Sequence, residues 1–289
     1  MVKPLFTGAC TALVTPFLDG KINYPMMEQL LKRQIEAGIT AVVVAGTTGE
    51  SPTLSDDEKI ELFRRCKAYA QDACTIIAGT GTNSTEHAVA LSVAAEAVGV
   101  DGLLVVTPYY NKATADGLIA HYMAIAHAVS LPIVLYNVPT RTGVDIPVSV
   151  CQRLARVPNI VGIKEASSDI TKIARIKHAC GADFSVWTGN DDQIIPTIAS
   201  GGSGVISVLS NLYPAETQAM CYAALQGDYK TAAEMQQRFL PLIDLLFCEV
   251  NPIPVKTALK CIGYDCGGYR LPLCKPTKEN QQKIEQYFV

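Results

Sequence analysis

Ala41-Val42-Val43-Val44-Ala45 is apolar at every position and runs directly into Gly46-Thr47-Thr48-Gly49-Glu50. A strand with one wet face alternates apolar and polar residues. A strand that is apolar throughout is covered on both faces, as in a parallel sheet flanked by helices. Working outward, seven more apolar, β-branched runs bounded by turn residues recur: Gly8 to Phe17, Thr75 to Gly81, Gly102 to Pro108, Pro132 to Pro139, Ile160 to Ser167, Phe184 to Asp191 and Gly204 to Asn211. Between them lie stretches with helical spacing, such as Met26-Leu30-Leu31-Ile35, Ile60-Phe63-Cys66-Ala70 and Ile119-Tyr122-Ile125-Ala126. Ser55 and Ser84 stand where capping residues belong.

Eight alternating strand and helix units predict an α/β fold, a closed (β/α)8 TIM barrel, which takes about 250 residues. An open doubly wound sheet would place a glycine-rich turn directly after its first strand, and Phe17-Leu18-Asp19-Gly20 is not one. After Asn211 the pattern becomes wholly helical and no Ser/Gly linker interrupts it. The chain therefore divides into a catalytic barrel, 1–225, and a C-terminal helical extension, 226–289, packed as part of the same unit.

Composition narrows the function classes. The 289 residues are 49% hydrophobic and 18% charged with a net charge of −3, which suits a well-packed globular chain and leaves no basic surplus for nucleic acid. The ten cysteines are spread from Cys10 to Cys274, which reads as reduced, mostly buried thiols of a cytosolic enzyme. Lys3 ahead of Leu5 to Phe17 has the outline of a weak signal peptide, but Gly8, Thr11, Thr15 and Pro16 fit a first strand better. No run reaches the length of a membrane span, so a cytoplasmic location without membrane association is expected.

In such barrels the catalytic groups sit at the C-terminal strand ends. Those ends read Gly46-Thr47-Thr48-Gly49-Glu50, Thr107-Pro108-Tyr109-Tyr110-Asn111, Tyr136-Asn137-Val138-Pro139 and Lys164-Glu165. Along Ile160-Val161-Gly162-Ile163-Lys164, period-two alternation puts Ile160, Gly162 and Lys164 on one face and Val161 and Ile163 on the other. If the latter pair meets the helices, Lys164 points into the barrel. The bland alternative is a snorkelling lysine paired with Glu165 or Glu50, although Glu165, adjacent on the strand, faces the opposite way. A Schiff-base lysine needs a neutral amine, which burial favours. Tyr136 is a phenol able to carry protons, and Thr47 and Thr48 can offer hydroxyls and N–H groups to a carboxylate.

Together these segments, with Thr140-Arg141-Thr142-Gly143 and Gly162-Ile163-Lys164-Glu165-Ala166, resemble the dihydrodipicolinate synthase and N-acetylneuraminate lyase family of pyruvate-dependent class I aldolases. They occur in family order and spacing, and likeness extends from Phe6-Thr7-Gly8 to Asn251-Pro252-Ile253-Pro254-Val255-Lys256. The resemblance is closest to the synthase branch, which condenses pyruvate with L-aspartate 4-semialdehyde in lysine and diaminopimelate biosynthesis. It implies that Lys164 forms the pyruvyl imine and that Tyr136 donates and accepts protons. Thr47 would link Tyr136 to Tyr110, the latter given across the tight interface of a homotetramer. Thr48 and the backbone of Ile206 would hold pyruvate, with Gly189 lining the site.

Arg141 separates the branches, because a guanidinium grips the semialdehyde's carboxylate whereas a sialic acid or 2-keto-3-deoxy sugar acid lyase meets a polyhydroxylated tail there. No cofactor beyond the covalent imine is implied, and no metal: His87, His121, His127 and His178 all fall in helical stretches. Gly201-Gly202-Ser203-Gly204, ahead of the eighth strand, reads as a tight turn on the opposite face.

Some family members are inhibited by lysine at positions corresponding to Ser51, Pro52, Asp56, Lys59, Asn83, His87 and Tyr109. Here Lys59 replaces a neutral histidine and His87 replaces a glutamate that binds the ligand's ammonium. Both changes disfavour a cationic ligand, so insensitivity to lysine is expected.

Overall fold

The computed structural model describes residues 4–289; Lys3 lies outside them. Eight parallel strands close on themselves: β1 (Gly8–Ala12), β2 (Ala41–Val44), β3 (Thr75–Gly79), β4 (Gly102–Val106), β5 (Ile133–Asn137), β6 (Ile160–Glu165), β7 (Ser185–Thr188) and β8 (Gly204–Ser207). Closure brings Gly8 opposite Gly204 and Ala9 opposite Val205. At that seam only glycine fits, because a Cβ on Gly204 would lie 1.9 Å from the Gly8 carbonyl oxygen. The fold is the (β/α)8 barrel that the covered strands imply.

Each strand is shorter than its apolar run. Leu13 to Pro16 leave the sheet, and Phe17–Leu18 pairs with Lys21–Ile22 in a separate small hairpin. Asp191–Gln193 and Leu209–Asn211 coil into single 3-10 turns. The reason is geometric: once a strand clears the barrel rim it has no neighbour to bond, and its backbone must turn or cap. Gly201 and Gly202 do form a tight turn into β8, their N–H groups bonded to the Ile198 and Thr197 carbonyls at 2.9 Å and the Ser203 N–H to the Val186 carbonyl at 2.7 Å.

Two apolar layers result. An inner cluster, including Cys10, Val43, Ile77, Leu104, Val134 and Trp187, fills the barrel. An outer cluster joins the strands' other faces to the helices. Ser55 caps the helix Asp56–Ala70 with a reciprocal capping box through Glu58. Six of the ten cysteines are buried.

On β6 the alternation breaks. Ile133 pairs with Ile160 but Val134 pairs with Gly162, so Val161 is an extra residue. Ile160 consequently joins the outer layer and Val161 packs against the inner one, the reverse of what strict alternation gives. Beyond the bulge Ile163 faces out and the inward direction of Lys164 holds.

A helix ends at Leu225, and the helices Tyr229–Leu246, Ile253–Cys261 and Lys278–Tyr287 follow. These helices and the loop before the last of them are tied back to the barrel: Lys256 pairs with Glu50, Arg270 in that loop with Glu58, and Gln236 Nε2 donates to the Asp191 carbonyl at 3.1 Å. Among the described residues no helix is long and apolar enough to cross a membrane.

Candidate active site

The strand register brings the principal pair together. Tyr136 on β5 stands opposite Lys164 on β6, which in turn stands opposite Trp187 on β7. Both Lys164 and Tyr136 are only 6% exposed, and the Lys164 Nζ lies 4.4 Å from the centroid of the Tyr136 ring. The two carboxylates weighed as partners for the amine, Glu165 and Glu50, are engaged elsewhere, while the buried Asp191 carboxyl feels the charge of Lys164. Glu165 faces the helices and lies 3.3 Å from Lys172, and Glu50 lies 2.8 Å from Lys256. Lys164 is therefore not a snorkelling surface lysine; it is an amine held against a phenol on the inner wall.

Its immediate surroundings leave little slack. A Cβ added to Gly189 would come within 2.8 Å of Lys164 Cε and 2.7 Å of Ala166 Cβ, so glycine at this position makes room for the lysine stem. Ile206 is fully buried in the inner cluster on β8. Cys10, on β1, is the other nucleophile type inside the barrel. Burial pushes its thiol well up, with Cys74 adding and Lys164 opposing, so it stays a thiol rather than a competing thiolate.

The turn after β2 supplies hydroxyls. Gly49 N–H bonds the Gly46 carbonyl at 3.1 Å and Glu50 N–H bonds that of Thr47 at 3.1 Å, while Ala45 and Glu50 take positive φ to complete the bend. Thr48 is 3% exposed and its Oγ1 accepts a 2.9 Å bond from Asn251 Nδ2. Asn251 also accepts, through its carbonyl, a 3.4 Å bond from Arg141 Nη2. This asparagine thus holds two of the nominated residues. In the sequence it was visible only as the start of Asn251-Pro252-Ile253, with nothing local to place it more than a hundred residues away against Arg141.

Above this floor opens a cavity of about 600 Å³, whose walls include Thr47, Tyr136, Val138 and Arg141 and extend outward to Lys59 and His87. Lys164, Thr48, Ile206 and Gly189 do not line this cavity. Arg141 is exposed, on the single helical turn Pro139–Thr142 that Gly143 closes at φ +68. Tyr110 is not brought to the site by its own chain. It is 91% exposed at φ +70, and Tyr109 lines the cavity instead.

The arrangement places a buried amine beside a phenol, threonine hydroxyls in the neighbouring turn, and a guanidinium in the cavity wall. The model of the dihydrodipicolinate synthetase family matches residues 5–288. A 4-hydroxy-tetrahydrodipicolinate synthase of Alkaliphilus oremlandii (strain OhILAs) is 46% identical over 280 residues, 97% of either chain. Among solved structures, the chloride-inhibited dihydrodipicolinate synthase from Acinetobacter baumannii complexed with pyruvate superposes with a TM-score of 0.95 at 41% identity, covering 97% of both chains. The corresponding enzyme from Cyanidioschyzon merolae with lysine bound gives 0.95 at 42% identity, covering 98% of this chain and 97% of that one. On the match of the family model over nearly its whole length, this chain belongs to the dihydrodipicolinate synthetase family.

Proposed function

We propose that this chain has 4-hydroxy-tetrahydrodipicolinate synthase activity, a lyase of class I aldolase type acting in lysine and diaminopimelate biosynthesis. The observation that carries the reading is the register pair Tyr136 and Lys164, a buried amine against a phenol with Arg141 at the cavity mouth.

Lys164 Nζ adds to the C2 carbonyl of pyruvate, and loss of water from the carbinolamine gives the imine. Tyr136 delivers and removes the protons of that exchange. The imine acidifies the pyruvate methyl group, and the resulting enamine carbon bonds to the aldehyde carbon of L-aspartate 4-semialdehyde. The semialdehyde's own amine then attacks C2, closes the ring and expels the Lys164 amine, an intramolecular step favoured by proximity. One pyruvate and one semialdehyde yield one ring and one water, and the enzyme is regenerated without a separate cofactor.

In this reading the hydroxyl of Thr48 and the backbone of Ile206 hold the pyruvate carboxylate, with Gly189 lining the pocket. Thr47 relays protons between Tyr136 and Tyr110 of the partner subunit. The 91% exposure of Tyr110 is what such a donation across an interface requires, and the assembly proposed is a cytoplasmic homotetramer. The extension, 226–289, belongs to the same unit as the barrel, supported by the buried Lys256 to Glu50 pair.

Borohydride reduction in the presence of pyruvate tests the reading directly. A pyruvyl adduct is expected at Lys164 by peptide mass, and failure to trap one would sink the mechanism. Rates with pyruvate and L-aspartate 4-semialdehyde should exceed cleavage of N-acetylneuraminate or 2-keto-3-deoxy sugar acids; the reverse order would reassign the substrate.

A further inference from the structure

Two residues of the strand-end motifs take no part in this chemistry: Asn137, which follows Tyr136, and Glu165, which follows Lys164. They stand opposite each other one step beyond the catalytic pair. Since successive side chains on a strand point to opposite faces, Tyr136 and Lys164 face the barrel interior while Asn137 and Glu165 face the helices. Both are buried, at 0% and 3% exposure.

On that outer wall they form a closed polar group. Asn137 Nδ2 donates to both oxygens of Glu165, at 3.0 and 2.9 Å, and to Asp145 Oδ1 at 2.7 Å. Asn137 Oδ1 accepts the Ile146 N–H at 2.9 Å. Glu165 Oε1 accepts the Ser167 N–H at 2.7 Å, and Oε2 lies 3.3 Å from Lys172 Nζ, which also pairs with Asp145. One side-chain pair thus joins the ends of β5 and β6, and it holds the segment at Asp145 and Ile146, just past the Arg141 turn.

The need for such a joint lies in the bulge at Val161. The extra residue shifts the ladder between Ile133 and Val134, so beyond it the register rests on the short run from Gly162 to Glu165 against β5 and β7, and the Asn137–Glu165 bonds close the end of that run. A one-residue slip would turn every side chain beyond the bulge to the other face, and Lys164 would leave the barrel interior. The pairing of Asn137 with Glu165 is satisfied in one register only.

We propose that Glu165, acting through Asn137, is a positioning residue: a polar clamp on the outer wall of the barrel that holds Lys164 against Tyr136 and keeps the Arg141 turn in step with them. The proposal rests on Lys164 being the nucleophile, and the two are tested separately, since absence of any Lys164 adduct in the unmodified enzyme would remove the function whereas the variants below address the clamp alone.

The test compares Glu165→Ala, Glu165→Gln, Asn137→Ala and Lys172→Met for kcat, KM and the rate of borohydride trapping with pyruvate, each normalised to folded protein. Glu165→Ala and Asn137→Ala are expected to lower kcat and trapping rate by about 10- to 100-fold, the cost of misplaced reacting groups, while KM for pyruvate moves less than about threefold. Glu165→Gln keeps an oxygen for Asn137 Nδ2 and the Ser167 N–H, and it should recover activity to within about threefold of the unmodified enzyme. Lys172→Met removes the buried ammonium but leaves the bonds between Asn137 and Glu165, so it should lower stability while kcat per folded enzyme stays within about threefold. If Glu165→Gln falls as far as Glu165→Ala, charge rather than geometry is at work and the proposal fails. A folded Asn137→Ala enzyme with unaltered kcat and trapping rate overturns it too, and this variant with Glu165→Gln decides the matter should Glu165→Ala not fold.

Discussion

Lys256 Nζ lies 2.8 Å from Glu50 Oε1, with the two side chains 1% and 0% exposed. The ammonium is also bonded to the carbonyls of Thr15 at 3.1 Å and Gly268 at 2.6 Å, and it sits over the rings of Phe17 and Tyr269. Glu50 ends the turn that carries Thr47 and Thr48, so this ion pair fastens the C-terminal extension beneath one wall of the site. Burial pulls the Lys256 amine down, and the charge of Glu50 opposes that shift.

Breaking such a pair leaves a charge buried without its partner. Glu50→Gln or Lys256→Met should each cost about 3–5 kcal/mol of folding stability. The double variant should cost clearly less than their sum, because the residues are in direct contact. Urea denaturation of the three variants checks this; additive losses would show that the two residues do not act as a pair.

Tyr136→Phe retains the ring under Lys164 and removes only the hydroxyl. A drop in kcat of about 10²- to 10⁴-fold is expected, with an adduct still forming slowly at Lys164. Steady-state rates and time-resolved borohydride trapping measure both quantities. An unaltered kcat would take the proton role from Tyr136.

Arg141→Lys retains the charge but loses the planar fork. KM for L-aspartate 4-semialdehyde should rise by about 10-fold or more while KM for pyruvate changes little. Equal changes in both constants would place Arg141 outside the second substrate's subsite.

His121 governs part of the acid response. It is 3% exposed, its Nδ1 is 2.9 Å from Thr85 Oγ1, and its Nε2 has no hydrogen-bond partner among the described residues. Burial holds the imidazole down at about 4, against an ordinary value near 6.5. Between those values the unfolded chain binds a proton that the folded chain refuses, so stability falls as pH drops through this window and is retained above it. Going from pH 7 to pH 5 should cost about 1–2 kcal/mol through this residue. His121→Leu should flatten that part of the slope in urea melts at the two pH values; identical slopes would refute the assignment.

Lysine should not inhibit. At the outer part of the cavity Asp56 is already engaged, its Oδ2 2.7 Å from His87 Nε2 and its Oδ1 3.7 Å from Lys59, which is itself buried. A cationic ligand meets an added ammonium and finds the local carboxylate occupied. Substantial inhibition by submillimolar L-lysine in a coupled assay would contradict this.

What the sequence determined by itself was local and periodic. Runs such as Ala41 to Ala45, apolar on both faces, specify covered strands, and their turn residues mark where the chain leaves the barrel. Since every such strand ends on the same face, the sequence alone assigns Thr47, Tyr136 and Lys164 to one rim. Tertiary structure decided what has no local period. The bulge at Val161 reverses Ile160 and Val161 while preserving Lys164, because only pairing with β5 reveals the extra residue. Asn251 reaches Thr48 from 203 positions away and Lys256 reaches Glu50 from 206, since closing a barrel brings distant segments to one rim. Lys164 also required its neighbours in space: alone it is an amine on an apolar strand, and the register with Tyr136 is what turns it inward against a phenol.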